Sequence, residues 1–164
     1  MSLQILNHQQ SLAKIRRIAY QIIERNFSAP QITLVGIFER GFHVALLLDS
    51  YLRTIASIPV QTYSLNLNLP PKPFSPPLQF QDFENQIVVI VDDVLYTGNT
   101  LLKALMHVYQ FNPQMIQIAT LIDRGHRHYP ISPDYVGLEL ATTFHEFVRI
   151  DITPEPLNIR AYLE

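Results

Sequence analysis

Two adjacent acidic residues follow a run of apolar residues within the stretch VVIVDDVLYTGNT, residues 88–100. Four consecutive apolar residues predict a strand that is buried on both faces, as parallel strands are. Because successive side chains of a strand point to opposite faces, Asp92 and Asp93 would form a poor acid–base pair for a single bond. They are better suited to accept short, charge-assisted hydrogen bonds from the hydroxyls of a polyol, each from a different side.

The turn after these acids has the composition of an anion site. Gly98 can adopt a left-handed conformation and let a ligand approach the backbone. Thr97 and Thr100 supply hydroxyls, and the helix predicted to begin near Thr100 would present free N–H groups and a favourable dipole to a phosphate. Residues 88–100 therefore predict a ribose-phosphate site.

Other protein classes also place acids at a strand end. The magnesium-holding strand of P-loop nucleotidases is one example, but their G-x-x-x-x-G-K-[ST] motif is absent here. Phosphoacceptor signalling domains carry such acids near their start, whereas 91 residues precede Asp92. A helix-capping turn with a solvated acid pair is the structural alternative. It requires two acids, a glycine and two threonines to coincide by chance.

The elements expected around this strand alternate along the chain. Helices are predicted at 9–26, 42–52 and 101–109, strands at 31–37, 60–67, 88–91, 115–123 and 147–152, and a turn at 38–41. Such alternation predicts an α/β fold, a mostly parallel twisted sheet flanked by helices. Ligands of such sheets bind beyond the carboxyl ends of the strands, which selects the turns at 38–41, 92–100 and 123–127.

Length and composition limit the remaining options. A chain of 164 residues suggests one domain, and its lack of cysteine excludes disulfides and thiolate metal sites. No signal peptide or membrane span is predicted, so a cytoplasmic location is expected. The formal charge of −2 is unlike that of a strongly basic nucleic-acid binder. Five of the twelve prolines fall in residues 70–77, which predicts either a connector or a mobile flap over a site.

Residues 91–100, VDDVLYTGNT, resemble the phosphoribosyl-diphosphate signature of type I phosphoribosyltransferases. Three further segments, RRIAYQIIERN (16–26), ITLVGIFERGFHVA (32–45) and LIDRGHRHYPISPDYVGLEL (121–140), are similar to the bifunctional pyrimidine-operon regulator and uracil phosphoribosyltransferase family. The resemblance covers most of the chain and is weak from about 53 to 86. It implies a single domain over 1–164 with a flexible loop at about 66–82. It also implies a small hood formed by about 125–164 and N-terminal residues.

The resemblance implies a reaction in which uracil and phosphoribosyl diphosphate (PRPP), carried with Mg²⁺, give UMP and pyrophosphate. Arg40, Asp92 and Asp93 would be the catalytic residues, with both aspartates on the ribose hydroxyls. The 5-phosphate would bind at Thr97, Gly98, Asn99 and Thr100. Tyr96 stands where purine-specific relatives have an acid, which favours a pyrimidine.

The same resemblance assigns the remaining site residues. Phe38, Glu39, Arg40 and Gly41 would form the pyrophosphate loop, which often contains a cis non-proline bond in this superfamily. The base would face the segment that begins at Asp123 and Arg124, largely through backbone groups, and Arg127 is assigned to the same base-binding set. The implied partners are PRPP, a nucleobase and a nucleotide, and a homo-oligomer, a dimer or larger, is expected.

Four features depart from the family pattern. Phe38 and Glu39 replace a basic residue and a threonine, Asn99 replaces an arginine, and Leu138 replaces a lysine. The fourth is residues 62–86, which lack the family's Y-R-D-D segment. These changes remove positive charge or polar groups from around an anionic substrate. Sugar-phosphate binding with weak or absent catalysis is therefore the alternative to an efficient enzyme, as is a UMP-sensing RNA-binding regulator of pyrimidine genes.

Two further groups of residues suggest binding sites but also have ordinary structural explanations. His126 and His128 near Asp123 resemble metal ligands, but a His-x-His pair with one acid also occurs by chance in loops. Lys14, Arg16 and Arg17 lie on the first predicted helix, where an ordinary solvated face is favoured over RNA binding. RNA affinity depends on neutralising phosphates, so RNA binding stays open but is not favoured at this net charge.

Overall fold

The computed structural model describes residues 2–70 and 72–164. Within these ranges the strands are β1 (Leu3–Leu6), β2 (Ile32–Ile37), β3 (Val60–Leu65), β4 (Phe74–Ser75), β5 (Ile87–Leu95), β6 (Met115–Asp123), β7 (Tyr135–Glu139), β8 (Val148–Pro154) and β9 (Leu157–Leu163). The helices are α1 (His8–Arg25), α2 (Arg40–Ile55) and α3 (Asn99–Tyr109), with a short 3-10 helix at Phe80–Asp82.

Six strands form the main sheet in the order β4-β3-β2-β5-β6-β7. The neighbouring strands β3, β2, β5, β6 and β7 are all parallel to one another, and β4 is an antiparallel edge strand that pairs with β3. All six residues of β2 are buried, as expected for a strand covered on both faces. The predicted α/β class with a mostly parallel sheet is therefore confirmed.

The sheet separates two hydrophobic cores. Successive residues of β2 serve opposite cores, because Leu34 packs with α1 and α2 whereas Val35 packs with α3. Helix α1 begins with a capping box in which the Asn7 side chain accepts from the Gln10 backbone N–H and the Gln10 side chain accepts from that of Asn7. None of the helices in the described ranges combines the length and apolarity that crossing a bilayer requires.

A second sheet joins the two ends of the chain. Its three antiparallel strands lie in the order β1-β9-β8, so the strand predicted at 147–152 belongs here and not to the main sheet. Leu6, Ile150 and Ile159 are buried in the same core as α1 and α2. This sheet lies where the hood was expected, although the single domain and the hood boundaries stay predictions.

The segment predicted as a loop at about 66–82 has anchored parts. Phe74 of β4 is buried and makes edge-to-face contacts with Phe83 and Phe111, with ring centroids 5.6 Å apart in each pair. Pro71 lies outside the described residues, and the mobility of this segment stays a prediction.

Candidate functional site

Strand β5 continues four residues beyond its predicted end at residue 91, so Asp92 and Asp93 both lie within it. They nevertheless line one cleft, because the cleft lies beyond the carboxyl ends of the neighbouring strands and not against one face of the sheet. Asp92 is 7% exposed, and its Oδ1 accepts a hydrogen bond of 2.9 Å from the Asp93 backbone N–H. Burial, and then the neighbouring Asp93 carboxylate, raises the pKa of Asp92 well above its ordinary value.

The loop at 38–41 closes the other side of this cleft. The peptide bond between Phe38 and Glu39 is cis, and α2 begins immediately afterwards at Arg40. Gly41 packs directly on β5, since a Cβ atom built there would lie 2.7 Å from the Val91 carbonyl oxygen. Any larger residue would therefore push the loop away from the strand.

An ion pair crosses the cleft between these two elements. Arg40 Nε lies 3.0 Å from Asp93 Oδ2, with the arginine side chain 57% exposed and the aspartate side chain 13% exposed. The cleft has a volume of about 350 Å³. It brings together most of the predicted residues, namely Phe38, Glu39, Arg40, Gly41, Asp92, Asp93, Tyr96, Thr100 and Arg124.

The turn between β5 and α3 forms a second, smaller cavity of about 160 Å³, the turn cavity, lined by residues 92 and 94–101. Gly98 occupies the N-cap position of α3 with a φ of +87°, so the helix begins at Asn99, earlier than predicted. The Thr97 hydroxyl accepts a hydrogen bond of 3.3 Å from the Asn99 N–H. The first turn of an eleven-residue helix therefore faces this cavity, and its N–H groups and dipole favour an anion.

A third cavity of about 330 Å³, the β6–β7 cavity, lies between residues 123–126 and 139–142. Arg124 lines both this cavity and the main cleft, yet only 4% of the residue is exposed. Its Nε donates to the Thr142 hydroxyl at 3.1 Å, and its guanidinium lies 4.0 Å from the Tyr96 ring centroid. Its Nη2 also donates to the Glu146 carbonyl oxygen. Protein groups thus hold the side chain, which fits a segment that meets its ligand through the backbone.

Arg127 does not line any of these three cavities. Its guanidinium donates to the Asp123 carboxylate at 2.5 Å and to the carbonyl oxygens of Tyr96 and Ile131 at 2.9 Å each. These contacts tie the loop after β6 to the turn after β5, and the predicted place of Arg127 in the base site stays a prediction. In the sequence, Arg127 is a cation close to Asp123 and Arg124, and this pattern does not distinguish a base-binding arginine from one that holds the loop in place.

The histidines are engaged with protein groups as well. His126 Nε2 contacts the Thr142 carbonyl oxygen, and its ring lies 5.8 Å from that of Tyr96 and 4.9 Å from that of Phe144. The His128 backbone N–H donates to the Thr97 carbonyl oxygen at 2.9 Å. Among the residues that the structure describes, no three or more histidine, aspartate or glutamate side chains form a group that could hold a metal ion.

The basic cluster on α1 is partly structural. Arg17 Nη2 donates to the carbonyl oxygens of Val136 and Gly137 at 3.1 and 2.6 Å, which fastens α1 to β7. Leu138 of the same strand, at the position where the resemblance implies a lysine, packs against the core. Strand β7 was not predicted from the sequence, and neither was the contribution of residues 139–142 to the β6–β7 cavity. The apolar residues of YVGLEL were the available signal.

Residues 1–152 match the family described as the phosphoribosyl transferase domain. The chain belongs to the phosphoribosyltransferase family. This phosphoribosyltransferase is 34% identical over 159 residues to the protein named Bifunctional protein PyrR from Herpetosiphon aurantiacus, covering 92% of this chain and 89% of the relative. It is 39% identical over 158 residues to the protein of that name from Halalkalibacterium halodurans, covering 89% and 88%.

Solved structures share the fold of this phosphoribosyltransferase. A hypoxanthine-guanine phosphoribosyltransferase from Bacillus anthracis superposes with a TM-score of 0.72 at 21% identity, covering 90% of this chain and 86% of the other. The hypoxanthine phosphoribosyltransferase of Trypanosoma cruzi, in complex with the product IMP, gives 0.72 at 19% identity, covering 86% and 78%. At these identities the likeness concerns the fold alone, and it confirms the predicted type I fold.

Proposed function

We propose that this phosphoribosyltransferase transfers the phosphoribosyl group of PRPP to uracil, giving UMP and pyrophosphate. The observation that carries the proposal is the single cleft in which the loop at 38–41 faces Asp92 and Asp93, with the start of α3 beside it. Along the cleft, the loop at 38–41, the two aspartates and the start of α3 follow the order of the diphosphate, the ribose and the 5-phosphate in PRPP. The similarity to proteins named Bifunctional protein PyrR supports the choice of a pyrimidine base.

The ribose and its 5-phosphate would bind along β5 and the following turn. Asp92 and Asp93 would accept hydrogen bonds from the two ribose hydroxyls, since carboxylates form short, strong bonds of this type. The 5-phosphate would enter the turn cavity, where residues 97–100 offer backbone N–H groups and two threonine hydroxyls. Asn99 would provide an amide where the family has a cation, so we expect this phosphate to bind more weakly than in relatives with arginine.

The diphosphate would lie against the loop at 38–41, with Arg40 as its protein cation. In the reaction the bond from the anomeric carbon to the diphosphate oxygen breaks, the bond from that carbon to the base nitrogen forms, and the N–H proton of the base passes to the departing pyrophosphate or to water. Residues that hold the leaving group while charge develops on it lower the barrier. Arg40 is 57% exposed at its side chain, so it can follow this group as it moves.

The base would lie against the backbone of the segment from Asp123 to Arg124, at the border between the β6–β7 cavity and the main cleft. The arginine is fixed by Thr142 and Glu146, so it would orient Tyr96 through their stacking contact of 4.0 Å. Backbone groups of the segment would then provide the hydrogen bonds to uracil. A pocket built on fixed backbone groups is suited to discriminate between base edges.

Mg²⁺ would arrive with the diphosphate. This ion keeps several waters and binds through one or two carboxylates together with substrate phosphates, and it does not need a cage of protein ligands. The carboxylates of Glu39 and Asp93 line the main cleft and fit that requirement. When bound, the ion neutralises charge on the diphosphate. Glu39 would then be a ligand for the ion and not a repulsive anion beside the substrate.

Initial rates with PRPP, Mg²⁺ and a panel of nucleobases test the proposal. We expect UMP to form from uracil faster than nucleotides form from cytosine, hypoxanthine or guanine. The double variant Asp92→Asn with Asp93→Asn is expected to lose activity by at least about 100-fold, because two charge-assisted contacts to ribose are lost. Absence of nucleotide with every base would overturn the enzymatic proposal.

A second candidate function follows from the word "bifunctional" in the relatives' name. We propose RNA binding controlled by UMP, with the exposed Arg16 and the half-buried Lys14 of α1 as the phosphate contacts. Titration of a pyrimidine-operon leader RNA at several salt concentrations measures the number of such contacts, because log affinity falls linearly with log salt. An affinity that is insensitive to salt and to UMP would contradict this second function.

A further inference from the structure

A further cavity of about 380 Å³, the α3 cavity, lies on the face of the main sheet that α3 covers. One wall consists of residues 72–74 and 77–79, and the other consists of His107, Gln110 and Phe111 at the end of α3. None of these residues lines the main cleft, the turn cavity or the β6–β7 cavity. The volume is typical of small-molecule sites, and the proposed phosphoribosyl transfer makes no use of it.

Pairing with the main sheet fixes the wall that contains Phe74. Strand β4 pairs with the end of β3, where Phe74 lies opposite Leu65. The Asn66 N–H also donates to the Pro73 carbonyl oxygen at 2.7 Å. The buried Phe74 ring meets the Phe111 ring edge to face, with centroids 5.6 Å apart, which joins the two walls. A ligand would therefore find the cavity already formed, and little of its binding energy would be spent on ordering the chain.

The apolar part of the lining favours a flat ring. The rings of Phe74 and Phe111 stand almost perpendicular, at 87°, so together they present both an edge and a face. Aromatic rings bind such surfaces in offset-stacked or edge-to-face arrangements. The His107 ring extends this wall, since its centroid lies 6.5 Å from that of Phe74. The rest of the apolar surface comes from Pro73, Pro77 and Leu78.

The polar part of the lining favours an anion. Lys72 supplies an amine and His107 an imidazole, whereas the described residues that line the cavity include no aspartate or glutamate. This basic lining contrasts with the formal charge of −2 of the whole chain. A carboxylate would accept hydrogen bonds from the Lys72 amine and from the side-chain amide of Gln110 on the opposite wall. A cationic ligand would find no carboxylate partner there.

We propose that the α3 cavity is a second ligand site, which binds a small aromatic carboxylate with its ring against Phe74 and Phe111 and its charge beside Lys72. The inference goes beyond the proposed function, because the α3 cavity shares no residue with the main cleft. A chain that forms no nucleotide would still bind such a ligand, so the two proposals fail independently.

Titration of isotope-labelled chain with 2-naphthoate, followed through the backbone amide signals by NMR, locates the site. We expect saturable shifts that are largest at residues 72–79 and 107–111, because these residues form the two walls. Shifts concentrated at 92–100 or 123–127 would place the ligand in the cavities already described and overturn the proposal. The absence of saturable shifts at the two walls would overturn it as well.

The neutral amide 2-naphthamide tests the role of Lys72, because it has the same ring and nearly the same shape without the charge. Wild-type chain should bind naphthoate about threefold or more tightly than naphthamide, a ratio typical of a solvent-exposed ion pair. Lys72 is exposed, so Lys72→Met should fold normally and bind the two ligands equally, with the naphthamide affinity retained. A preference for naphthoate that survives in this variant would contradict the assignment of the charge.

Lys103→Met is the matched control. Lys103 is exposed on α3 and does not line the cavity, so its replacement removes the same charge and should leave the preference for naphthoate unchanged. Equal losses of preference in the two lysine variants would reduce the effect to net charge and overturn the role of Lys72.

Phe111→Leu tests the aromatic wall. It should weaken both ligands by about threefold or more, since an edge-to-face aromatic contact is lost. Thermal melting verifies that this variant is folded at the temperature of the titration. A folded Phe111→Leu chain that binds both ligands as tightly as the wild type would contradict the proposed position of the ring.

Discussion

The folded chain destabilises the ionised form of Asp92. Asp92 is almost fully enclosed beside a second carboxylate, and burial raises its pKa well above the unfolded value of about 4. Between those two values the folded state binds more protons than the unfolded state, so this residue lowers stability as the pH rises above about 4. Such a cost is typical of residues retained for function.

Replacement of Asp92 by asparagine should therefore stabilise the unliganded chain. The amide oxygen can still accept from the Asp93 N–H, while the buried charge is removed. We expect the melting temperature at pH 7 to rise by about 2–4 °C for each kcal/mol recovered. The gain should shrink towards zero near pH 4, as wild-type Asp92 becomes protonated in both states.

Melting curves between pH 4 and pH 8 measure this effect. Asp151→Asn is the control, since it removes the same charge from an exposed position on β8 and should show no such gain. A variant of Asp92 that melts below the wild type at neutral pH would contradict the account of a penalised buried charge.

Single residues also show what the sequence could predict of the site. The types and spacing of Asp92, Asp93 and residues 97–100 indicated the proposed sugar-phosphate end, because these residues are neighbours along the chain. The partners of Arg124 and Arg127 could not be read in the same way. They depend on Thr142, Glu146 and Tyr96, which are distant in sequence and meet these arginines only in the fold.

Two glycines with positive φ allow a test at the level of the turn between β5 and α3. Gly98 has a φ of +87° and Gly125 has a φ of +77°, so alanine costs about 1–2 kcal/mol of strain at either position. A Cβ at Gly98 would also lie 3.1 Å from the Ile131 Cβ, whereas a Cβ at Gly125 meets nothing within 4 Å. The extra crowding at Gly98 acts on the wall of the turn cavity.

We expect Gly98→Ala to weaken ribose 5-phosphate binding by about tenfold, because the turn must shift away from Ile131 or adopt a different backbone conformation. Gly125→Ala carries a similar strain outside this turn and should change that affinity by about twofold or less. Equal losses in the two variants would show that strain alone, and not the shape of the turn, determines the affinity.

Elements were predictable where their pattern is local. The three helices and the strands β2, β3, β5 and β6 follow from apolar periodicity, with ends that moved by a few residues. Those shifts matter at the site, because α2 begins at Arg40 and α3 at Asn99. Strands β1, β4 and β9 were missed because each is short or pairs with a distant partner, which leaves little local signal, whereas β7 was missed although the apolar residues of YVGLEL offered one.

In the whole molecule, the fold places most of the predicted substrate-binding residues around one cleft. The carboxyl ends of β2 and β5 supply the loop at 38–41 and the acids, and β6 and β7 supply the adjoining cavity. Val148 of β8 brings the second sheet to the edge of the cleft. This arrangement depends on pairing between residues 3–6 and 157–163, and no local pattern in the sequence predicts such a distant pairing.

The departures from the family pattern also act at this scale. Phe38, Glu39 and Asn99 line the two cavities and carry no positive charge, whereas the resemblance implies a basic residue, a threonine and an arginine at these positions. Lower charge slows electrostatically steered association and weakens binding, although it leaves the positions of the reacting groups unchanged. We therefore expect turnover to be slow but measurable when the chain is in excess over substrate.

A single-turnover measurement tests whether this chain transfers the phosphoribosyl group. The chain, in excess, is mixed with labelled uracil, PRPP and Mg²⁺, and UMP and pyrophosphate are quantified over time. We expect both products to form in equal amounts, and the Asp92→Asn, Asp93→Asn double variant to form neither at a comparable rate. Tight binding of PRPP or UMP with no UMP formed in the wild-type chain would contradict phosphoribosyl transfer and leave a nucleotide-binding protein.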